Sequence, residues 1–144
     1  ILSGLVGSEM CIRDSYMHTF SSILDEMRPH NFPSRCGSLY ASPTKEACLG
    51  WKQDLEEYTQ KNLDYLYELE VSDKLLVFDA GIYDDWVQGA RQDGDAYWDS
   101  AMPLWQYHEY RNNLSDQDSE ELDFWHEILL RPADIVSATK IPLH

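Results

Sequence analysis

The sequence predicts an α+β fold: split, mostly antiparallel β-sheets with two or three helices outside them. The clearest sign is residues 63–71, where Leu63, Tyr65, Tyr67, Leu69 and Val71 alternate with Asp64, Glu68 and Glu70. Period two with one acidic face marks a strand on a sheet that is solvated on one side. Short apolar runs recur at 38–41, 75–78, 127–130 and 135–141, each too brief for a helix. Between the first run and the alternating segment, Ala47, Cys48, Trp51, Leu55 and Tyr58 fall on one helical stripe.

Taken in order, residues 1–15 read ILSGLVGSEMCIRDS. The string GSEMCIRDS resembles adapter DNA translated at the edge of an assembled read. The apolar run Ile1–Val6 is short, broken by glycine and not preceded by Lys or Arg, so it makes a poor signal peptide. This segment is expected to be a non-native leader, and residues 16–144 a single domain. Residues 16–20, with His18 and Phe20, read as a short strand, and Ser21 or Ser22 as the cap of a helical turn through Ile23, Leu24 and Met27. Pro29 and Pro33 stiffen a loop that ends at Arg35. The run Ser38-Leu39-Tyr40-Ala41 is a buried strand, and Ser42-Pro43 starts a helix over roughly 43–60, with Ser42 as cap and Pro43 in the first helical position.

After the strand at 63–71, Ser72-Asp73-Lys74 forms a turn and Leu75–Phe78 a more buried strand. Around Trp86 and Val87 one packed helical turn is expected, followed by a loop over 91–95. Asp93-Gly94-Asp95 lacks the ligand spacing and terminal bidentate Glu of a calcium loop, so no metal is expected. Tyr97, Trp98, Trp105, Tyr107 and Tyr110 make an aromatic segment, suited to the core or to stacking a nucleobase, which Pro103 bends or ends. Acidic residues from Asp116 suit a helix N-terminus. Strands over 127–130 and 135–141, joined by a turn at 131–134, close the chain.

Composition narrows the function. The chain of 144 residues is 43% hydrophobic and carries a net charge of −15. The charged residues of the leader, Glu9, Arg13 and Asp14, sum to −1, leaving −14 for residues 16–144. Such a surface repels phosphate backbones and anionic lipids, which disfavours nucleic acid and membrane as partners. Cys36 and Cys48 are the only cysteines after the leader, too few for a disulfide framework, and the expected setting is cytoplasmic. Against this background Arg28, His30 and Arg35 form a basic loop with no carboxylate inside it. Arg35 there either grips a phosphate or pairs across space with one of the many acids.

The order of elements resembles the ADP-ribosyltransferase-like fold. One branch of that superfamily builds its site from a His on the first strand, a Tyr on the second and a Glu on a late strand. The matching positions are His18 in MHTF, Tyr40 in SLYAS and Glu127 in WHEILLRP. The family's first strand carries His-Gly-Thr, and here the glycine is missing after His18. The pattern PSRCGSLYAS is also similar to that of small phage proteins, which would put the protein in the host cytoplasm. The resemblance implies NAD as substrate, with cleavage of the nicotinamide–ribose bond by transfer or hydrolysis. It implies that Glu127 stabilises charge on the ribose, Tyr40 stacks on nicotinamide and His18 holds a ribose hydroxyl or the carboxamide. Arg35, or Arg28, would then bind the pyrophosphate. Two other readings stand beside it: a nucleotide-binding protein without chemistry, and an acidic domain that binds a basic protein partner. For Glu127 the plainer alternative is a solvated carboxylate on an edge strand, and for His18 a strand histidine.

Overall fold

The computed structural model describes the backbone of residues 2–4, 15–59, 62, 64–90 and 92–143, and within these all side chains but those of 2–4, 15–19, 55, 58 and 59. The elements are β1 (Leu2–Gly4), α1 (Ser15–Glu26), β2 (Leu39–Ala41), α2 (Lys45–Thr59), β3 (Tyr65–Val71) and β4 (Leu76–Asp79). They continue with α3 (Ala80–Val87), α4 (Ala96–Asp99), β5 (Met102–Pro103), α5 (Leu104–Asn112), α6 (Asp116–Phe124), β6 (His126–Leu130), a 3₁₀ turn (Pro132–Asp134) and β7 (Ile135–Pro142).

The strands form a three-stranded sheet, β1-β3-β7, and a four-stranded sheet, β2-β6-β4-β5. Every pairing in both is antiparallel. Period-two alternation sends the odd residues of β3 one way and the even ones the other. Leu69, with half-buried Tyr67 and Val71, packs onto Ala41, Val77, Ile128 and Leu130 of the second sheet. Leu66 faces the opposite side, against Cys48 of α2. The second sheet is buried on both faces. Its other side meets Leu24 of α1, Tyr83 of α3, and Tyr97 and Trp98 of α4 through Phe78 and Leu129. The order of layers is therefore helix, sheet, sheet, helices.

Local chemistry sets the boundaries. Thr44 Oγ1 accepts the Ala47 N–H at 3.2 Å and caps α2. The Asp79 carboxylate accepts the Gly81 N–H at 2.9 Å and starts α3. Gly89, at φ +78°, lies in the left-handed region that ends a helix without a Cβ penalty. Ser115 Oγ accepts the Asp118 N–H at 3.2 Å at the head of α6.

Most of the expected strands are present, and the class is α+β with antiparallel sheets. Several expectations are corrected. Residues 16–20 are helix, not strand, so His18 sits in α1. Tyr16, Phe20, Ile23, Leu24 and Met27 recur at helical spacing over a whole helix, and that longer period decides the conformation. Ser21 and Ser22 lie inside this helix and do not cap it, and the cap of α2 is Thr44, not Ser42. Six helices are present among the described residues, where two or three were expected. The turn expected at Trp86 is an eight-residue helix. Leu2–Gly4 pair with Tyr67–Leu69 of β3, which leaves open the expectation that residues 1–15 are a leader. The remainder of that segment as far as Asp14 lies outside the described residues.

Candidate functional site

The loop between α1 and β2 is held by one carboxylate. Asp25, in the last turn of α1, accepts the Arg35 N–H at 2.8 Å, the Ser34 hydroxyl at 2.6 Å and the Cys36 N–H at 3.1 Å. This anchorage turns the Arg35 side chain into the layer between the second sheet and the helices, where it is 1% exposed.

A guanidinium that has lost water must replace every contact water gave it. Arg35 does so with groups from five elements. Its Nη1 pairs with Glu127 Oε1 of β6 and donates to the Tyr97 hydroxyl of α4 at 3.0 Å. Its Nε donates to Ser21 Oγ of α1 at 3.4 Å, and Ser21 meets the Tyr83 hydroxyl at 3.0 Å. The guanidinium carbon lies 3.7 Å from the centre of the Tyr83 ring and 5.2 Å from that of Tyr40. Tyr40, on β2, donates its hydroxyl to the Arg35 carbonyl at 2.6 Å. Burial works against the positive charge, but the Glu127 carboxylate and the oxygens of Tyr97, Tyr40 and Tyr83 outweigh it and hold Arg35 well above its ordinary pKa. Tyr97 moves the same way: burial, then the Glu127 charge, push its phenol well above the usual value.

Glu127 is the most accessible member of the ion pair, its side chain 13% exposed. Its Oε1 takes both contacts, from Arg35 and from Tyr97 at 2.6 Å, while Oε2 has no protein partner among the described residues. Close by in sequence, Ser38 immediately precedes β2 and is two residues from Tyr40. Its Oγ is buried with no hydrogen-bond partner among the described residues. The cluster therefore offers one fixed carboxylate with an oxygen to spare.

Of the residues singled out in the sequence, Arg35, Tyr40 and Glu127 come together. Of the two readings of Arg35, the structure has the pairing across space: it pairs with Glu127, and its guanidinium is already engaged. Glu127 lies on β6, between β2 and β4, so it is not on an edge strand. The hydrogen bond of Arg28 stays within its own loop, to the Phe32 carbonyl at 2.6 Å. The His18 side chain lies outside the described residues, so its meeting with Tyr40 and Glu127 is not part of this geometry. Tyr97, Tyr83, Ser21 and Asp25 were not named as site residues. Only the aromatic richness of the segment holding Tyr97 pointed toward it.

Two clefts open elsewhere. One, of about 840 Å³, lies between α3 and α6; Asp79, Asp85, Asp118, Glu121, Tyr110 and Trp125 are among its walls. The other, of about 460 Å³, lies beside Arg111, Asp116 and Asp123. There Asp123 is 1% exposed and accepts from Tyr107 at 2.7 Å and from Arg111 Nε at 2.9 and 2.7 Å, a brace between α5 and α6. Neither cleft is lined by Arg35, Tyr40 or Glu127. No helix among the described residues is long and apolar enough to cross a membrane. No protein-family model, curated protein or solved structure matches the chain.

Proposed function

We propose that the Arg35–Tyr40–Glu127 cluster is the site of an ADP-ribosyltransferase-like domain that cleaves the nicotinamide–ribose bond of NAD. What supports this reading is the convergence of Arg35 and Tyr40, five residues apart in one stretch, with the distant Glu127, whose carboxylate keeps one oxygen uncommitted among the described residues. In this reaction the N-glycosidic bond breaks and its electron pair leaves with nicotinamide. Water, or a hydroxyl or other nucleophile of a host protein, then forms the new bond to the ribose carbon and gives up a proton.

Glu127 is the catalytic residue in this reading. Oε2 hydrogen-bonds a ribose hydroxyl, and the carboxylate stabilises the positive charge that builds on the ribose as nicotinamide departs. Arg35 takes a different role from the one its loop first implied. Its guanidinium orients Glu127 with Tyr97, and so it is a positioning residue and not a pyrophosphate ligand. Tyr40 offers a ring beside the site.

Calorimetry with NAD and chromatography of released nicotinamide test the proposal on the full chain. Heat of binding together with free nicotinamide is expected. Binding without release would favour the nucleotide-binding protein without chemistry, and neither would remove both. The acidic domain with a basic partner has its own observation in its favour, the carboxylate-lined cleft.

A further inference from the structure

We infer that the cleft between α3 and α6 seats a lysine- or arginine-rich segment of a partner protein. This inference is independent of the NAD reading. On β6, His126 lines the cleft while Glu127 follows it and points to the opposite face of the sheet.

The cleft is built, not merely a run of acids on a surface. Its volume, about 840 Å³, lies within the range of ligand sites. One wall is the face of α3 that carries Ile82 and Asp85, and the other is the stripe of α6 that carries Asp118, Glu121 and Leu122. Tyr110 and Trp125 stand in it 53% and 36% exposed, both large apolar groups left in contact with water. Aromatic faces beside carboxylates suit a cation, which gains from the ring quadrupole as well as from the charges.

Charge complementarity selects the occupant. Asp85, Asp118 and Glu121 are exposed and enter no ion pair among the described residues. No Lys or Arg lines the cleft, and His126 is the one side chain in its walls able to carry positive charge against four carboxylates. An anion is repelled there. The space exceeds that of one ammonium group and accommodates several side chains of an extended segment. The net charge of −15 adds long-range attraction for such a partner.

Calorimetry of the full chain with an acetylated octalysine peptide tests the inference. The pair Asp85→Asn with Glu121→Gln should weaken binding about tenfold, and Tyr110→Ala several-fold. A control with the same loss of charge, Glu68→Gln with Asp73→Asn, lies on β3 and in the turn after it, and should change affinity less than about twofold. All these side chains are exposed, so the variants keep the fold. No heat with the wild-type protein would overturn the inference. So would an equal loss in the control, which would reduce the effect to net charge, or octaglutamate binding as tightly as octalysine.

Discussion

Arg35 shows how burial decides what a cation does. In the sequence it stands in a basic loop of an acidic chain, and its charge suggests an open anion site. Folded, it is 1% exposed and spends Nη1 on Glu127 and Tyr97. A buried pair contributes little net stability over apolar neighbours, yet breaking one side strands the other. Arg35→Ala is therefore expected to lower unfolding free energy by about 3–5 kcal/mol, read by denaturant titration. A loss within about 0.5 kcal/mol would show that the guanidinium is not locked in place. Glu127→Gln keeps the shape of the side chain and an oxygen that accepts from Arg35 and Tyr97, but it removes the charge that balances the buried guanidinium and should destabilise the fold as well. Tyr97 adds a pH dependence. Unfolded tyrosine ionises near pH 10, whereas burial and the Glu127 charge keep the folded Tyr97 protonated to higher pH. Above about pH 10 the unfolded chain then binds fewer protons than the folded one, so stability falls as pH rises. Thermal melts from pH 8 to 11 should show this decline, and Tyr97→Phe should flatten it relative to the wild-type protein. In the sequence Arg35 stood out as the end of a basic loop in an acidic chain, and Tyr40 and Glu127 through their resemblance to the pattern of ADP-ribosyltransferase-like proteins. The sequence could not supply Tyr83 and Tyr97, because their contacts with the site cross from one element to another and leave no local pattern.

At the level of elements, periodicity was legible wherever it ran long enough. The alternation over β3 and the apolar run of β4 and β6 correspond to strands in the fold. The stretch before Met27 looks like a strand over the five residues 16–20, yet these belong to one helix of twelve residues, whose longer period decides. The aromatic segment was illegible for another reason: α4, β5 and α5 are short, and their residues follow tertiary packing more than their own propensity. Capping is local and testable. Thr44→Ala should cost about 1 kcal/mol through loss of the α2 cap, measured by the same titration, and no change would place the cap elsewhere. Asp25 joins two elements. Asp25→Ala removes the acceptor of three hydrogen bonds and should destabilise the fold by about 1–3 kcal/mol. Amide exchange at Arg35 and Cys36 should accelerate in that variant, and unchanged protection there would mean that the loop is held by something else.

For the molecule as a whole, two antiparallel sheets and the helices beside them bury a four-stranded sheet on both faces. One of those faces holds a charged cluster where an apolar core would serve stability as well. Polar groups kept in such a place, at a thermodynamic cost, are the physical reason to look there for chemistry. The domain class was legible because it rests on strand and helix periods distributed along the whole chain. The site was legible only in part, because its geometry depends on how α1, α3 and α4 lie on the second sheet. The central claim is that Glu127 acts on the nicotinamide–ribose bond. The most direct measurement is single-turnover release of nicotinamide from NAD by wild-type protein and by Glu127→Gln, both shown to be folded by their melting transitions. The account predicts release by the wild-type protein and a fall of about 100-fold or more in the variant. Equal release by the two proteins, or none from the folded wild type at saturating NAD, would contradict it.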